Sequence, residues 1–192
     1  MVPAAALTFG AQHAIEIYLG TAKRSLRQKI LEFIDLLHHE TFIAPVAAQQ
    51  RFALLRLSFN AMLTHLDIFA DVISQRGESP NGVWLAGLDT AAIDALSFES
   101  DLTMPPLACY LDRGHGAAIR RARTRLPGGG MNPVAIIRVP RERMVGSGIA
   151  SSLVHEVGHQ GAEMLNLIPS IRPVLQAMQQ GRQSSTWACW RR

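Results

Sequence analysis

The chain is 192 residues long and 48% hydrophobic, with a formal net charge of +4. That is enough for one domain, or for a domain with an appended helical half, and so hydrophobic a chain with so little net charge is not an intrinsically disordered one. No stretch approaches the roughly eighteen consecutive apolar residues of a transmembrane helix, and Met1-Val2-Pro3-Ala4-Ala5-Ala6 lacks the basic start and sustained apolar run of a signal peptide. Cys109 and Cys189 stand at no metal or disulfide spacing and read as free thiols of a reducing compartment, so a cytoplasmic protein is expected.

In chain order, Ile15, Leu19, Leu26, Ile30, Phe33 and Leu37 recur at three-, four- and seven-residue steps and predict a helix from about Ala11 to His39. Pro45 opens a second helix that runs to about Arg76. Phe52, Leu55, Phe59, Leu63, Leu66, Phe69 and Ile73 line its expected buried side, with His65 among them as a core or boundary histidine. The two long helices suit an antiparallel pair, closed by the turn Gly77-Glu78-Ser79-Pro80-Asn81-Gly82. A shorter helix is expected over Thr90–Leu96, and Met104-Pro105-Pro106 marks a boundary. Charge changes there as well. Residues 1–101 hold 7 Lys+Arg against 11 Asp+Glu, whereas residues 102–192 hold 12 against 4. The expected organisation is an acidic helical region, 1–101, serving as scaffold or partner-binding surface, and a basic region, 102–192. The two could form one compact domain.

Ala117–Arg125 carries Arg120, Arg121, Arg123 and Arg125 and reads as a helical, solvated basic face. No aromatic interleaving accompanies it, so a nucleic-acid partner is not expected. Gly128-Gly129-Gly130 lacks the phosphate-loop pattern and reads as a turn. Pro133-Val134-Ala135-Ile136-Ile137-Arg138-Val139-Pro140 is the strongest strand signal, β-branched and bounded by prolines. It suits either an ordinary core strand or an open edge that takes an extended peptide by strand addition. No proline interrupts Val145–Ile168, with Ser147 as N-cap, so one continuous helix is expected there. A last helix is expected over about Ser170–Gln180.

The chemistry-bearing motif is His155-Glu156-Val157-Gly158-His159. On a helix, residues i and i+4 share a face about 6 Å apart along the axis, so both imidazoles can reach one metal ion. Glu156 stands roughly 100° round from His155, beside such an ion rather than on it. This is the spacing of the H-E-x-x-H zinc site. Ile149, Leu153, Val157 and Met164 suit a buried face, and Ser152, His155, His159, Glu163 and Asn166 a polar stripe. The apolar, glycine-containing surroundings also predict buried histidines.

Over Ser152–Gln160 the chain resembles the active-site helix of the zincin metallopeptidases. The resemblance implies zinc as cofactor, His155 and His159 as ligands, and Glu156 as general base and proton shuttle in peptide or amide hydrolysis, with a peptide or protein as substrate. Gly161 departs from the family's usual hydrophobic residue at that place. A catalytic zinc takes three protein ligands and a water. Ala162 and Leu165 stand where the metzincin extension needs glycine and histidine. A gluzincin would supply a glutamate from a later helix, but no carboxylate follows Glu163. The Cα of Glu163 lies about 12 Å along the axis from that of His155, too far on a straight helix. The pattern is gluzincin-like without an evident third ligand, as expected of a chain cut short before the glutamate-bearing helix. Asp112, His115, His65 and Glu142 are the remaining candidates, and no spacing rule supports any of them. The expected fold class is α+β, mainly α-helical: long antiparallel N-terminal helices, a small strand region and a zincin-like helix. The rival reading is a non-catalytic metal-binding or inactive zincin-like helical interaction protein. Oligomeric state is open.

Overall fold

A computed structural model describes residues 7–39, 44–77, 81–97, 104–114, 116–141 and 148–183. Among them are five helices, α1 (Phe9–His39), α2 (Pro45–Ser74), α3 (Asn81–Leu96), α4 (Gly148–Met164) and α5 (Leu167–Gln183). Three strands, β1 (Leu107–Asp112), β2 (Ala118–Arg120) and β3 (Ala135–Pro140), form one sheet. The class is α+β and mainly helical, as the sequence implied.

The sheet order is β1-β3-β2, with β3 parallel to β1 and antiparallel to β2. Leu107 lies beside Ala135, and Ile119 beside Ile137. The strand signal at 133–140 is therefore the central strand and not an open edge. Helices cover both its faces, which is why it reads as a nearly unbroken apolar run. Side chains alternate across the sheet. Leu107, Cys109, Leu111, Ala135, Ile137 and Val139 join Leu85, Ala92 and Leu96 of α3 and Leu153 and Val157 of α4 in one core. Ala108 and Ile136 join Ala11 and Ile15 of α1 and Phe69 and Val72 of α2 in the other. The acidic and basic halves thus meet across one sheet, with α1 and α2 on one face and α3 and α4 on the opposite one.

A buried ion pair joins the layers. Arg76 Nη2 lies 2.7 Å from Asp89 Oδ2 and donates to the carbonyl of Cys109 at 2.9 Å, while the Cys109 N–H donates to Asp89 Oδ1 at 2.7 Å. These bonds tie the end of α2 and the middle of α3 to β1. Burial pushes the Cys109 thiol well up, with Asp89 adding to the effect, so Cys109 is an inert core thiol rather than a nucleophile.

Several local expectations are corrected. The arginine-rich stretch 117–125 forms β2 and a turn, not a helix. Helix α3 begins at Asn81, well before Thr90. The motif helix stops at Met164, because Asn166 takes a left-handed conformation (φ 50°) that ends it. The last helix starts at once, at Leu167, and accommodates Pro173. The predicted inner stripe of α2 divides: Phe69 is buried and Leu55 half-buried, but Phe52, Phe59, Leu63, Leu66 and Ile73 are exposed.

The triple glycine closes the loop between β2 and β3. Gly128, Gly129 and Gly130 have φ of 79°, 105° and 92°, values that favour glycine. A Cβ on Gly128 would overlap Ala61 of α2, and one on Gly130 would overlap the Tyr18 hydroxyl of α1. The loop therefore seats closely on the helical hairpin.

Candidate metal site

Helix α4 turns Leu153, Val157 and Gln160 inward, at the i, i+4, i+7 spacing of one face. Gly161 lets Leu96 of α3 approach, with its Cδ2 3.6 Å from where a Cβ would stand. Gln160 is buried, and its Oε1 accepts the Ala122 N–H at 2.9 Å. That bond fixes the segment just after β2 against the residue next to His159. Among the described residues, strand β2 is an outer strand of the sheet, paired with β3.

His155 and His159 point the opposite way and are exposed. This corrects the expectation that the motif histidines are buried. Their rings lie 4.8 Å apart between centroids, at 84° to each other. Two exposed imidazoles on adjacent turns can turn a nitrogen each toward one ion without either leaving its helix face. Glu156 is half-buried, one residue round the helix. Ser152 and Glu163 extend the polar stripe, half-buried and exposed respectively.

The other candidates have partners of their own or fall outside the described residues. Glu163 is held by Arg121, whose Nη1 donates to Oε2 at 2.6 Å. Asp112 closes β1, with Oδ2 3.6 Å from Arg138 Nη1. His65 is buried between the hairpin and the glycine loop, with Nε2 2.8 Å from the Pro127 carbonyl and Nδ1 3.1 Å from the Tyr18 hydroxyl. It is a satisfied core histidine. His115 and Glu142 lie outside the described residues. Among the described residues no third histidine, cysteine, aspartate or glutamate joins His155 and His159 in a metal-binding group. The donor set described thus suits two ligand positions of a zinc ion.

Two features of the site escaped the sequence reading. Gln160 could have been found from its i+7 spacing to Leu153, which marks it as inward-facing. The edge strand β2 had no such signal, being three residues long and running straight into arginines. A cleft of about 520 Å³ also opens on the α2 side of the sheet, lined by residues that include Asp71, Tyr110, Arg120 and Arg138. No motif residue lines it.

No family model matches the chain, and no curated protein or solved structure matches it.

Proposed function

We propose that this protein is a zinc-dependent peptide or amide hydrolase whose site is carried by α4. The observation that carries the reading is the exposed His155–His159 pair on one helix face, with Glu156 beside it. His155 and His159 would hold the ion. Zinc, when bound, supplies Lewis acidity toward a carbonyl oxygen and lowers the pKa of water. Glu156 would accept a proton from the attacking water on its carboxylate and return it to the leaving amine. Strand β2, an outer strand tied to Gln160, offers the backbone groups on which an extended substrate could pair. This moves the substrate-pairing role considered for the 133–140 strand to its neighbour.

The test separates ligand from base. His155→Ala and His159→Ala should each abolish zinc uptake measured by elemental analysis. Glu156→Gln should keep zinc and lose turnover of a peptide library. Loss of zinc in Glu156→Gln to the same extent as in His155→Ala would make Glu156 a ligand and sink the mechanism.

A second reading is favoured by the apolar residues left outside on α2 and α5, among them Phe59, Leu66, Ile171 and Leu175. In it the protein works through helix-mediated association, with the histidine pair binding metal but performing no catalysis. Zinc uptake with no turnover of any peptide by the wild type would select this reading.

A further inference from the structure

We propose that the outer face of α2 is a self-association surface, on which α2 of a second copy of this chain lies antiparallel. Phe52, Phe59, Leu66 and Ile73 follow one another at seven-residue intervals, and Leu63 and Ala70 stand four residues after Phe59 and Leu66. That is the alternating three-and-four spacing of a coiled-coil seam. Most of the seam is separate from the face α2 uses within its own chain, where His65, Phe69 and Val72 are buried; at its N-terminal end Phe52 also meets the ring of Phe33 of α1, 6.1 Å between centroids. Phe52, Phe59, Leu63, Leu66 and Ile73 keep 40–47% of their surface exposed. Together they leave on the order of 400–500 Å² of surface per copy, as large as the main apolar patch of a typical monomer, and two copies would bury about 800–1,000 Å², the lower limit for a biological interface.

Charge names the occupant and its direction. The N-terminal half of α2 carries Arg51 and Arg56, and the C-terminal half carries Asp67 and Asp71. An antiparallel pairing that sets Phe52 over Ile73 and Phe59 over Leu66 of the second copy places each basic half beside the other's acidic half. A parallel pairing sets like charges together. Arg56 takes the seam position four residues after Phe52, and Asp67 flanks the seam on the same side, eleven residues along. That is about 16 Å along one helix, too far to pair within it, whereas the antiparallel arrangement brings Arg56 of one copy beside Asp67 of the other. The glycine loop meets α2 at Ala61 and His65 and strand β1 meets it at Gln75, positions turned to the side of the helix opposite the seam, so the second copy approaches from the free side.

Sedimentation equilibrium on the full chain should give a dimer. Phe59→Glu combined with Leu66→Glu should give a monomer of unchanged helical circular dichroism, since both positions are exposed in the single chain. Arg56→Asp should weaken association at least about tenfold, and adding Asp67→Arg should restore it. In a Cys189→Ser background, Leu63→Cys should cross-link two copies on oxidation, because residue 63 lies at the two-fold axis, and Phe52→Cys should not. A monomeric wild type, which would leave the seam to some other helix, overturns the proposal. So does a dimer that survives the double glutamate change, or self-linking at position 52 without linking at 63.

Discussion

Replacing Gln160 tests whether the motif helix and the outer strand are held together as one unit. Gln160→Ala leaves the Ala122 N–H without its acceptor, and both residues are only 2% exposed. Orphaning a buried donor costs about 1–3 kcal/mol. Two lost methylene equivalents add about 0.8 kcal/mol each, before any cavity term. The expected destabilisation is about 2.5–4.5 kcal/mol. With a urea m-value of about 2 kcal/mol/M, the midpoint should fall by about 1–2 M. Gln160→Met keeps most of the volume and removes only the acceptor, so its shift should isolate the hydrogen-bond share, about 0.5–1.5 M. Amide exchange at Ala122 should accelerate in both variants, and exchange within α1 should not. Zinc uptake by His155 and His159 should persist, because neither histidine depends on that bond. A Gln160→Met midpoint within about 0.3 M of the wild type would refute the reasoning, since it would mean that the Ala122 N–H has another partner.

Other outcomes follow from the buried polar groups and the glycine loop. Asp89→Ala should cost about 3–5 kcal/mol in chemical denaturation, because it strands the Arg76 guanidinium in the core and removes the acceptor of the Cys109 N–H. Burial pushes the Asp89 carboxyl up, outweighing Arg76 and the Cys109 N–H, which pull it down. A raised native value means that the folded chain holds this proton more tightly than the unfolded one. The Asp89 contribution is then fully present below the ordinary carboxylate range and is lost as pH rises through the native value. The stability of wild type relative to Asp89→Asn should accordingly shrink on raising the pH from about 4, and growth over that interval would show the sign to be wrong. Gly128→Ala should cost at least about 2 kcal/mol by thermal or urea unfolding, from positive-φ strain and overlap with Ala61. His155→Ala should change stability by no more than about 0.5 kcal/mol in zinc-free buffer, since the side chain is exposed.

The sequence carried the class of the fold and the length of its two long N-terminal helices because long amphipathic periods survive without tertiary context. It carried the histidine spacing for the same reason. It misled on the histidines' exposure because the surrounding composition is apolar. The angle was the better guide: His155 and His159 stand about 200–240° round the helix from Leu153, opposite the face that Leu153, Val157 and Gln160 bury. The break at Asn166 had no proline or glycine to announce it, only an asparagine that tolerates the left-handed region. Strand β2 is stabilised by its pairing with β3, a non-local term that its own short arginine-rich sequence does not encode.

The divided stripe of α2 has a different origin. Hydrophobic periodicity records which residues leave water in the state that selection acts on, and it is silent about whether the covering surface belongs to the same chain. Seven apolar positions on α2 suggested one wide buried face. In the single chain, Phe69 is buried and Leu55 half-buried, while Phe52, Phe59, Leu63, Leu66 and Ile73 remain in contact with solvent. A solvent-facing helix surface has no physical need of two phenylalanines, two leucines and an isoleucine in a coiled-coil register that only Arg56 interrupts. Each would be replaceable by a polar residue of equal or better helix propensity. The pattern is explained if the missing cover is a second α2. The expected burial was then assigned to the right residues and to the wrong chain. The mutants that separate the two faces of α2 follow from this: Phe69→Ala should unfold the single chain by about 3–5 kcal/mol, whereas Phe59→Ala should leave its fold intact and weaken only the association.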